Sequence, residues 1–266
     1  MTNERGIPEA RVHDAMRLIE KLETEHVLCL EEWVALFAVQ DDLALRAHLF
    51  ERARAVRDKH YGRQVFLRGL IEYSNYCKND CYYCGIRASN ADLRRYRLAL
   101  DEILTCCEQG YDLGYRTFVL QGGEDPKVPL VDIVGALRTR FPDCAITVSA
   151  GELPRKVYQQ LFDAGADRYL LRHETADPHH YGKLHPASMS LEERKACLFA
   201  LRDIGFQVGS GFLVGAPGQT SETMAANLAF LHELDPHMIG IGPFIPHSST
   251  PLASKLAGTM EETLFL

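Results

Sequence analysis

The sequence lacks the features that direct a chain to a membrane or to nucleic acid. No apolar run in its 266 residues approaches the ~18 residues of a transmembrane helix. The N-terminal stretch, MTNERGIPEARVHDAM, is polar and mixed in charge, unlike a secretory signal peptide. Acidic residues outnumber basic ones by 36 to 29, a net charge of −7, which argues against nucleic-acid binding. We therefore expect neither a membrane nor a nucleic acid as a partner.

Cysteine is present, but not in the arrangement of a disulfide-stapled secreted domain. A chain of 266 residues buries enough apolar surface to fold without such bridges, so its eight cysteines fit a reducing cytoplasm better. Five of them are scattered and are predicted to be small buried packing residues: Cys29, Cys106, Cys107, Cys144 and Cys197. The other three fall close together in the loop CKNDCYYC.

That loop carries Cys77, Cys81 and Cys84 with the spacing C-x3-C-x2-C. A structural zinc site normally uses four ligands, and no histidine follows at zinc-finger spacing. A disulfide would leave one thiol over. Three thiolates can instead hold three irons of a 4Fe–4S cube, whereas electron-transfer clusters are usually closed by four cysteines. The loop therefore predicts a 4Fe–4S cluster with one iron open to a substrate or cofactor.

After residue 62, short apolar runs alternate with amphipathic segments, which predicts βα units and a parallel sheet. The predicted strands are Val65–Tyr73, Thr117–Gln121, Ala145–Ser149, Arg168–Leu171, Gln207–Val214 and Met238–Phe244. The predicted helices among them are Leu100–Leu113, Val128–Thr139, Leu153–Ala164, Leu191–Ile204, Ser221–Leu234 and Met260–Leu266. Earlier residues show helical spacing at Arg11–Glu23, Leu30–Val39 and Asp41–His60. We thus expect an N-terminal helical segment over 1–62 and an α/β barrel over 63–266.

Six strands are fewer than the eight of a complete TIM barrel. The pattern therefore predicts an α/β, TIM-barrel-type fold with six parallel βα units and without the last two strands. The apolar ending Thr-Leu-Phe-Leu favours a chain truncated within its last helix over a naturally open arc. The reason is that an exposed apolar helix end is a liability in a finished protein.

Polar residues collect where the predicted strands end, which is where parallel α/β barrels build their sites. Gly122, Gly123 and Glu124 follow the second strand, and paired glycines let backbone carbonyls approach a ligand ammonium closely. A plain βα turn is the alternative. Thr147 and Ser149 share one face of the third strand, so both hydroxyls line the site if that face is the lumen. Solvated strand-end residues are the alternative there.

The fourth strand ends in a pair of charges. Arg172 and Glu174 share a face directly after an apolar stretch, where unpaired charge is costly, so an ion pair or ligand clamp is plausible. Glu174 could accept hydrogen bonds from ribose hydroxyls. Arg194, in the following helix, offers a fork suited to a carboxylate, although a solvated helix charge is the ordinary alternative. The glycines of the fifth strand form no G-x-G-x-x-G motif, which disfavours dinucleotide binding.

Taken together, these residues resemble the biotin-synthase-like branch of the radical S-adenosylmethionine (SAM) superfamily, and within it the HydE-type maturases of FeFe-hydrogenase. The cysteine spacing, with an aromatic residue before the last cysteine, is typical of that superfamily. The resemblance runs from about residue 65 to residue 256 and rests on five strings: CKNDCYYCGIR, QGGEDP, DRYLLRHETA, VGAPGQT and GIGPFIPHSSTPLA.

The resemblance implies a role for each of these residues. Cys77, Cys81 and Cys84 would hold the 4Fe–4S cluster that binds SAM, beside Tyr83. The SAM contacts would come from Tyr83, Gly122, Gly123, Glu124, Arg172, Glu174 and Arg194, with Arg194 on the SAM carboxylate. Thr147 and Ser149 would face the substrate cavity.

The resemblance also implies an activity and partners. Reductive cleavage of SAM would give a 5′-deoxyadenosyl radical that acts on a small organometallic iron–cysteine complex, during assembly of the diiron subcluster of FeFe-hydrogenase. An electron donor such as flavodoxin or ferredoxin, and other hydrogenase maturases, would be partners. Two alternatives stay open: a related enzyme such as methylornithine synthase or a biotin-synthase-like sulfur inserter, and a non-enzymatic Fe–S carrier.

Overall fold

A six-stranded parallel sheet organises residues 6–266, which are the residues described by this computed structural model. The strands are β1 (Gly69–Ser74), β2 (Thr117–Gly122), β3 (Ala145–Ser149), β4 (Arg168–Leu170), β5 (Gln207–Ser210), β6 (Leu213–Val214), β7 (Met238–Ile239) and β8 (Gly242–Pro243). The main sheet has the order β1-β2-β3-β4-β5-β7, and β6 pairs with β8 in a second, two-stranded sheet. Neighbours in this order are parallel throughout, as repeated βα units require.

Helices cover the outer face of the sheet and precede it. They are α1 (Glu9–Glu25), α2 (Leu30–Phe37), α3 (Leu43–Tyr61), α4 (Leu100–Asp112), α5 (Leu130–Arg140), α6 (Arg155–Asp163), α7 (Pro178–Leu184), α8 (Leu191–Ile204), α9 (Ser221–Leu234) and α10 (Met260–Phe265). No helix among the described residues is long and apolar enough to cross a membrane.

The main core lies between the sheet and its helices. Phe118 and Leu120 of β2, and Ile146 and Val148 of β3, are at most 1 % exposed and pack there. Because side chains alternate along a strand, the residues between them face the other side of the sheet, away from the helices. That inner face is where a barrel would hold its ligand.

A second core joins the N-terminal helices to the end of the chain. Leu36 and Phe37 of α2 pack with Met224 and Ala225 of α9 and with Phe265 of α10. The helices of residues 9–61 therefore share apolar contacts with the barrel helices and are not a separate appendage.

The predicted α/β class with a parallel sheet is confirmed, and β2 to β4 lie within a residue of their predicted bounds. The first strand was predicted too early: Val65, Phe66 and Leu67 are at least 64 % exposed, and β1 begins at Gly69. Short helix α7 was not predicted. Of the scattered cysteines, Cys107 and Cys144 are buried as expected, whereas Cys29 and Cys106 are exposed.

The fifth and sixth predicted strands are each interrupted, into β5 and β6 and into β7 and β8. The interruption falls where the two chain segments come unusually close: a Cβ placed on Gly211 would overlap the carbonyl oxygen of Gly240. Regular pairing stops at that approach and resumes beyond it, between Leu213 and Gly242.

The close approach of the two segments can be tested by substituting Gly211. Gly211→Ala should destabilise the protein by about 1–3 kcal/mol, because the new methyl has no room against the backbone of Gly240. Gly135→Ala in α5 is the matched control, since no neighbouring atom lies within 4 Å of the position that its Cβ would take. That change should stabilise the helix by about 0.5–1 kcal/mol. Urea unfolding of the two variants checks both signs, and equal midpoints would contradict the packing described here.

Candidate active site

The three clustered cysteines lie side by side in the loop after β1. Each is half-buried and free, and burial together with the neighbouring Cys84 raises the pKa of Cys81 to about 12. Burial also raises the pKa of Cys84. Crowded, buried thiols resist ionisation unless a cation is present to stabilise the thiolates. The ionised forms of Cys81 and Cys84 therefore require a positive partner such as a metal centre.

Asp80, between the first two cysteines, holds the loop together. Its carboxylate accepts two hydrogen bonds from Arg87, at 2.8 and 2.6 Å, and two more from the backbone and hydroxyl of Ser89. These donors, with Arg87 the largest contributor, hold the pKa of Asp80 well below its usual 3.8. Arg95 closes the same loop by donating to the carbonyls of its two ends: Asn75, Ile86, Arg87 and Asn90.

The turn after β2 packs directly against the cysteine loop. A Cβ on Gly123 would lie 2.6 Å from the Cβ of Cys77, so no larger residue fits there. Glu124 is 6 % exposed and its carboxylate is already engaged, with Lys78 Nζ at 3.0 Å and the backbone N–H of Glu152 at 2.7 Å. Glu124 thus ties the cysteine loop to the end of β3.

Arg194 of α8 reaches into the same region. Its Nε lies 2.6 Å from Oε1 of Glu152, and its side chain is 8 % exposed. A buried charge of this kind needs a partner, and Glu152 supplies it. Arg194 was predicted from the sequence as a site residue, whereas Glu152 was not. The available signal was the position of Glu152 just after the end of β3.

Helix α7 adds an aromatic wall that the sequence interpretation missed. Tyr181 stacks on His185 with ring centroids 3.9 Å apart, and His185 Nε2 lies 3.3 Å from the hydroxyl of Tyr83. Burial lowers the pKa of His185 to about 3, so its ring is neutral at pH 7. The available signal was the helix start Asp177-Pro178, an N-cap followed by proline at the first helical position.

Arg172 and Glu174 form a third ion pair, with Arg172 Nη2 and Glu174 Oε2 3.3 Å apart. Arg172 also donates to the carbonyl of Phe212 at 2.6 Å. Burial raises the pKa of Glu174, and its Oε2 and the Nε of Arg172 have no hydrogen-bond partner. Such shielded polar atoms are normally satisfied, so they indicate a place for a polar ligand.

Thr147 and Ser149 lie on the inner face of β3, as the alternation predicted, because Ile146 and Val148 occupy the helix-facing core. Thr147 is 1 % exposed and its hydroxyl has no hydrogen-bond partner.

The turn between α7 and α8 also reaches the cysteines, since Met189 Sδ lies 3.7 Å from Cys81 Sγ. On the other side, the ring of His247 sits over Gly85, directly after Cys84: a Cβ on Gly85 would lie 2.7 Å from it.

Within residues 6–266, no three His, Cys, Asp or Glu side chains converge closely enough to hold a single metal ion. A cluster makes a different demand, because each thiolate binds its own iron and the sulfurs need not converge on one point.

The hydrogen bonds of Asp80 give a prediction that needs no cofactor. Asp80→Ala should speed amide hydrogen exchange at residues 86–90 about tenfold, because the loop loses its charged acceptor, a change of about 1 kcal/mol after solvent screening. Since the pKa is lowered, the stabilisation is complete above 3.8 and is lost as the pH falls below it. Asp92→Ala, exposed in the same loop, is the control; equal exchange in both variants would contradict the role of Asp80.

The likeness of this chain to known proteins extends over the whole site. The family model described as "Radical SAM superfamily" matches residues 71–231, which includes the cysteine loop and all three charge pairs. The FeFe-hydrogenase maturase subunit HydE of Thermotoga maritima is 44% identical over 84% of this chain, and the match covers 64% of HydE. The chain thus spans less than two thirds of that relative's length.

Two further relatives extend the likeness. A biotin synthase of Thermus thermophilus is 31% identical over 86% of this chain and 70% of its own. The crystal structure of methylornithine synthase (PylB) superposes with a TM-score of 0.85 at 28% identity, covering 93% of this chain and 74% of that one. The TIM-barrel-type fold predicted from the sequence is confirmed by this superposition. With a family model that covers more than half of its residues, the chain belongs to the radical SAM superfamily.

Proposed function

We propose that this protein is a radical SAM enzyme of the hydrogenase-maturase type, with its 4Fe–4S cluster on Cys77, Cys81 and Cys84. The observation that carries the proposal is the setting of the three thiols. They lie together, without a fourth cysteine in the loop, beside three carboxylate–cation pairs. Radical SAM enzymes use a 4Fe–4S cluster and SAM, and a three-cysteine set leaves one iron for that second cofactor.

The donor set fits the cluster. Iron–sulfur clusters are held by thiolates, and the raised pKa of Cys81 and Cys84 is that of thiols whose ionisation needs a cationic partner. The cysteine loop packs closely against Gly123, and hydrogen bonds of Asp80 and Arg95 tie it together. These contacts hold the sulfurs in place before any cofactor binds. Such preorganisation lowers the ordering cost of binding.

SAM is a zwitterion with an ammonium, a carboxylate and a ribose, and the surrounding charges suit each group. Arg194 would take the carboxylate through its guanidinium fork, in exchange for part of its pairing with Glu152. Gly122, Gly123 and Glu124 lie beside Cys77, where the ammonium would be met by backbone carbonyls. Glu174, whose Oε2 has no hydrogen-bond partner, would accept from the ribose hydroxyls, with Arg172 beside it.

When bound, the cluster and SAM supply an electron and a carbon-centred radical. The chain's own residues then have three tasks. Tyr83, Tyr181 and His185 form an aromatic wall that keeps water from the SAM side of the loop. The charge pairs orient SAM. Thr147 and Ser149 offer hydroxyls on the inner face of β3, where the substrate would lie.

The substrate proposal rests on the HydE relative. A small organometallic complex with anionic ligands needs cations and hydroxyl donors, and Arg172, Thr147 and Ser149 provide them on one side of the sheet. We further propose a cytoplasmic location, an electron donor such as flavodoxin or ferredoxin, and other hydrogenase maturases as partners. The division into residues 1–62 and 63–266 is proposed as the boundary between helical segment and barrel.

A second candidate function is methylornithine synthase activity, favoured by the TM-score of 0.85 to that enzyme's structure. Complementation of a HydE-deficient strain distinguishes the two. Restored FeFe-hydrogenase activity supports the maturase proposal, whereas formation of 3-methylornithine by the purified, reconstituted protein supports the alternative. A Cys81→Ser variant in the same strain is the negative control.

Cluster loading gives a prediction about individual cysteines. Cys81→Ser should lower the iron bound after anaerobic reconstitution by at least about half, because one of three thiolate ligands is lost. Cys106→Ser is the control, since Cys106 is exposed on α4 and should leave the iron content unchanged. Iron and sulfide analysis decides, and equal iron in both variants would contradict the ligand assignment.

A further inference from the structure

The strand-end segment Arg172–Ala176 contains the most strained residue of the site. Glu174 has φ 63, in the left-handed region that residues other than glycine rarely adopt, although it is only 8 % exposed. The N–H of Thr175 donates to the carbonyl of His173 at 2.8 Å, so Glu174 is the central residue of a three-residue turn. A γ-turn with positive φ is rare and strained, and it persists only where its surroundings impose it.

The backbone on the barrel side imposes part of this conformation. The N–H of Glu174 donates to the carbonyl of Gly211 at 3.0 Å, and its own carbonyl accepts from Leu213 at 3.2 Å. Glu174 therefore pairs in parallel with Phe212, in the interruption between β5 and β6. These bonds fix the position of the peptide groups but do not orient the residues on either side.

The flanking side chains complete the support from behind the sheet. His173 is fully buried; its Nδ1 lies 2.9 Å from the hydroxyl of Ser210, and its ring packs edge-on against Phe230 at 4.9 Å. Thr175, also fully buried, has its hydroxyl 3.0 Å from Nδ1 of His180. The N–H of Ala176 donates to Oδ1 of Asn227 on α9 at 2.5 Å.

We propose that His173 is a positioning residue that, through Ser210 and together with Thr175 and Asn227, holds Glu174 in its strained turn so that the carboxylate faces SAM. This inference rests on the proposed function for the part that concerns SAM. The strained turn and its support are properties of the protein alone.

The identities of two residues, Glu174 and His173, argue against a purely structural role for this turn. Glycine at position 174 would adopt this φ without strain, and the chain has glutamate there. An apolar ring would fill the site between Phe212 and Phe230 without the cost of burying a polar imidazole, and the chain has histidine. Strain of this kind is typical of functional sites, where a side chain must be presented in one direction.

The first test measures stability and needs neither cofactor. In the wild-type background E174G should have a higher midpoint of urea unfolding than E174A, because both variants lose the carboxylate that pairs with Arg172 and only glycine relieves the strain. This difference should shrink by at least half in an H173F background, because a turn that has lost its support has already relaxed. An undiminished difference, or no difference in the wild-type background, overturns the proposal. S210A replaces H173F if the latter does not fold, since it removes the same hydrogen bond with a smaller change.

The second test uses the wild type, E174G, H173F, the E174G/H173F double variant and H173Q after anaerobic cluster reconstitution, and it measures the dissociation constant of SAM. H173F should weaken SAM binding about tenfold when Glu174 is present and less than twofold in the E174G background, and H173Q should recover most of the affinity. Equal weakening in both backgrounds overturns a role through Glu174. If the reconstituted wild type binds no SAM, the proposed function fails, while the stability measurement still decides whether His173 supports the turn.

Discussion

The site depends on one constraint: charge removed from water must be paired. Glu124 and Glu174 are buried and Glu152 is half-buried beside the cysteine loop, and each carboxylate forms an ion pair with a cation. The Lys78–Glu124 pair joins the cysteine loop to the end of β2, the Arg194–Glu152 pair joins helix α8 to the end of β3, and the Arg172–Glu174 pair lies within the segment after β4. Removing one partner would leave an uncompensated charge at a cost of about 3–5 kcal/mol in a fully buried site.

Around this arrangement the protein has both rigid and strained parts. The cysteine loop is rigid because Asp80 and Arg95 satisfy its turns with many short hydrogen bonds. Glu174, by contrast, is held in a conformation that the local sequence disfavours. The unsatisfied atoms of Thr147, Arg172 and Glu174 lie on the ligand-facing side of the sheet. The stability of the fold thus comes from the helix-facing core, while the inner face retains polar groups for ligand binding.

Much of this was predictable from the sequence because local signals agreed with the fold. Apolar alternation located β2 to β4, and the spacing of Cys77, Cys81 and Cys84 predicted a cluster-binding loop, which the structure places at the end of β1. What failed depended on contacts between distant residues. The interruption of the fifth strand follows from the close approach of Gly211 to Gly240, which no local pattern reports. Glu152, Tyr181 and His185 were not predicted as members of the site. They belong to it through tertiary contacts that involve Arg194 and Tyr83, and such contacts cannot be seen in a local sequence pattern.

The central claim is that the cysteine loop holds a 4Fe–4S cluster whose open iron takes SAM. Electron paramagnetic resonance of the reduced, reconstituted protein tests it most directly, with spectra recorded before and after SAM is added and 5′-deoxyadenosine measured in the same samples. We predict the signal of a reduced 4Fe–4S cluster that shifts when SAM binds, together with formation of 5′-deoxyadenosine. A cluster signal that SAM leaves unchanged, with no 5′-deoxyadenosine formed, would contradict the account and favour a protein that only carries the cluster.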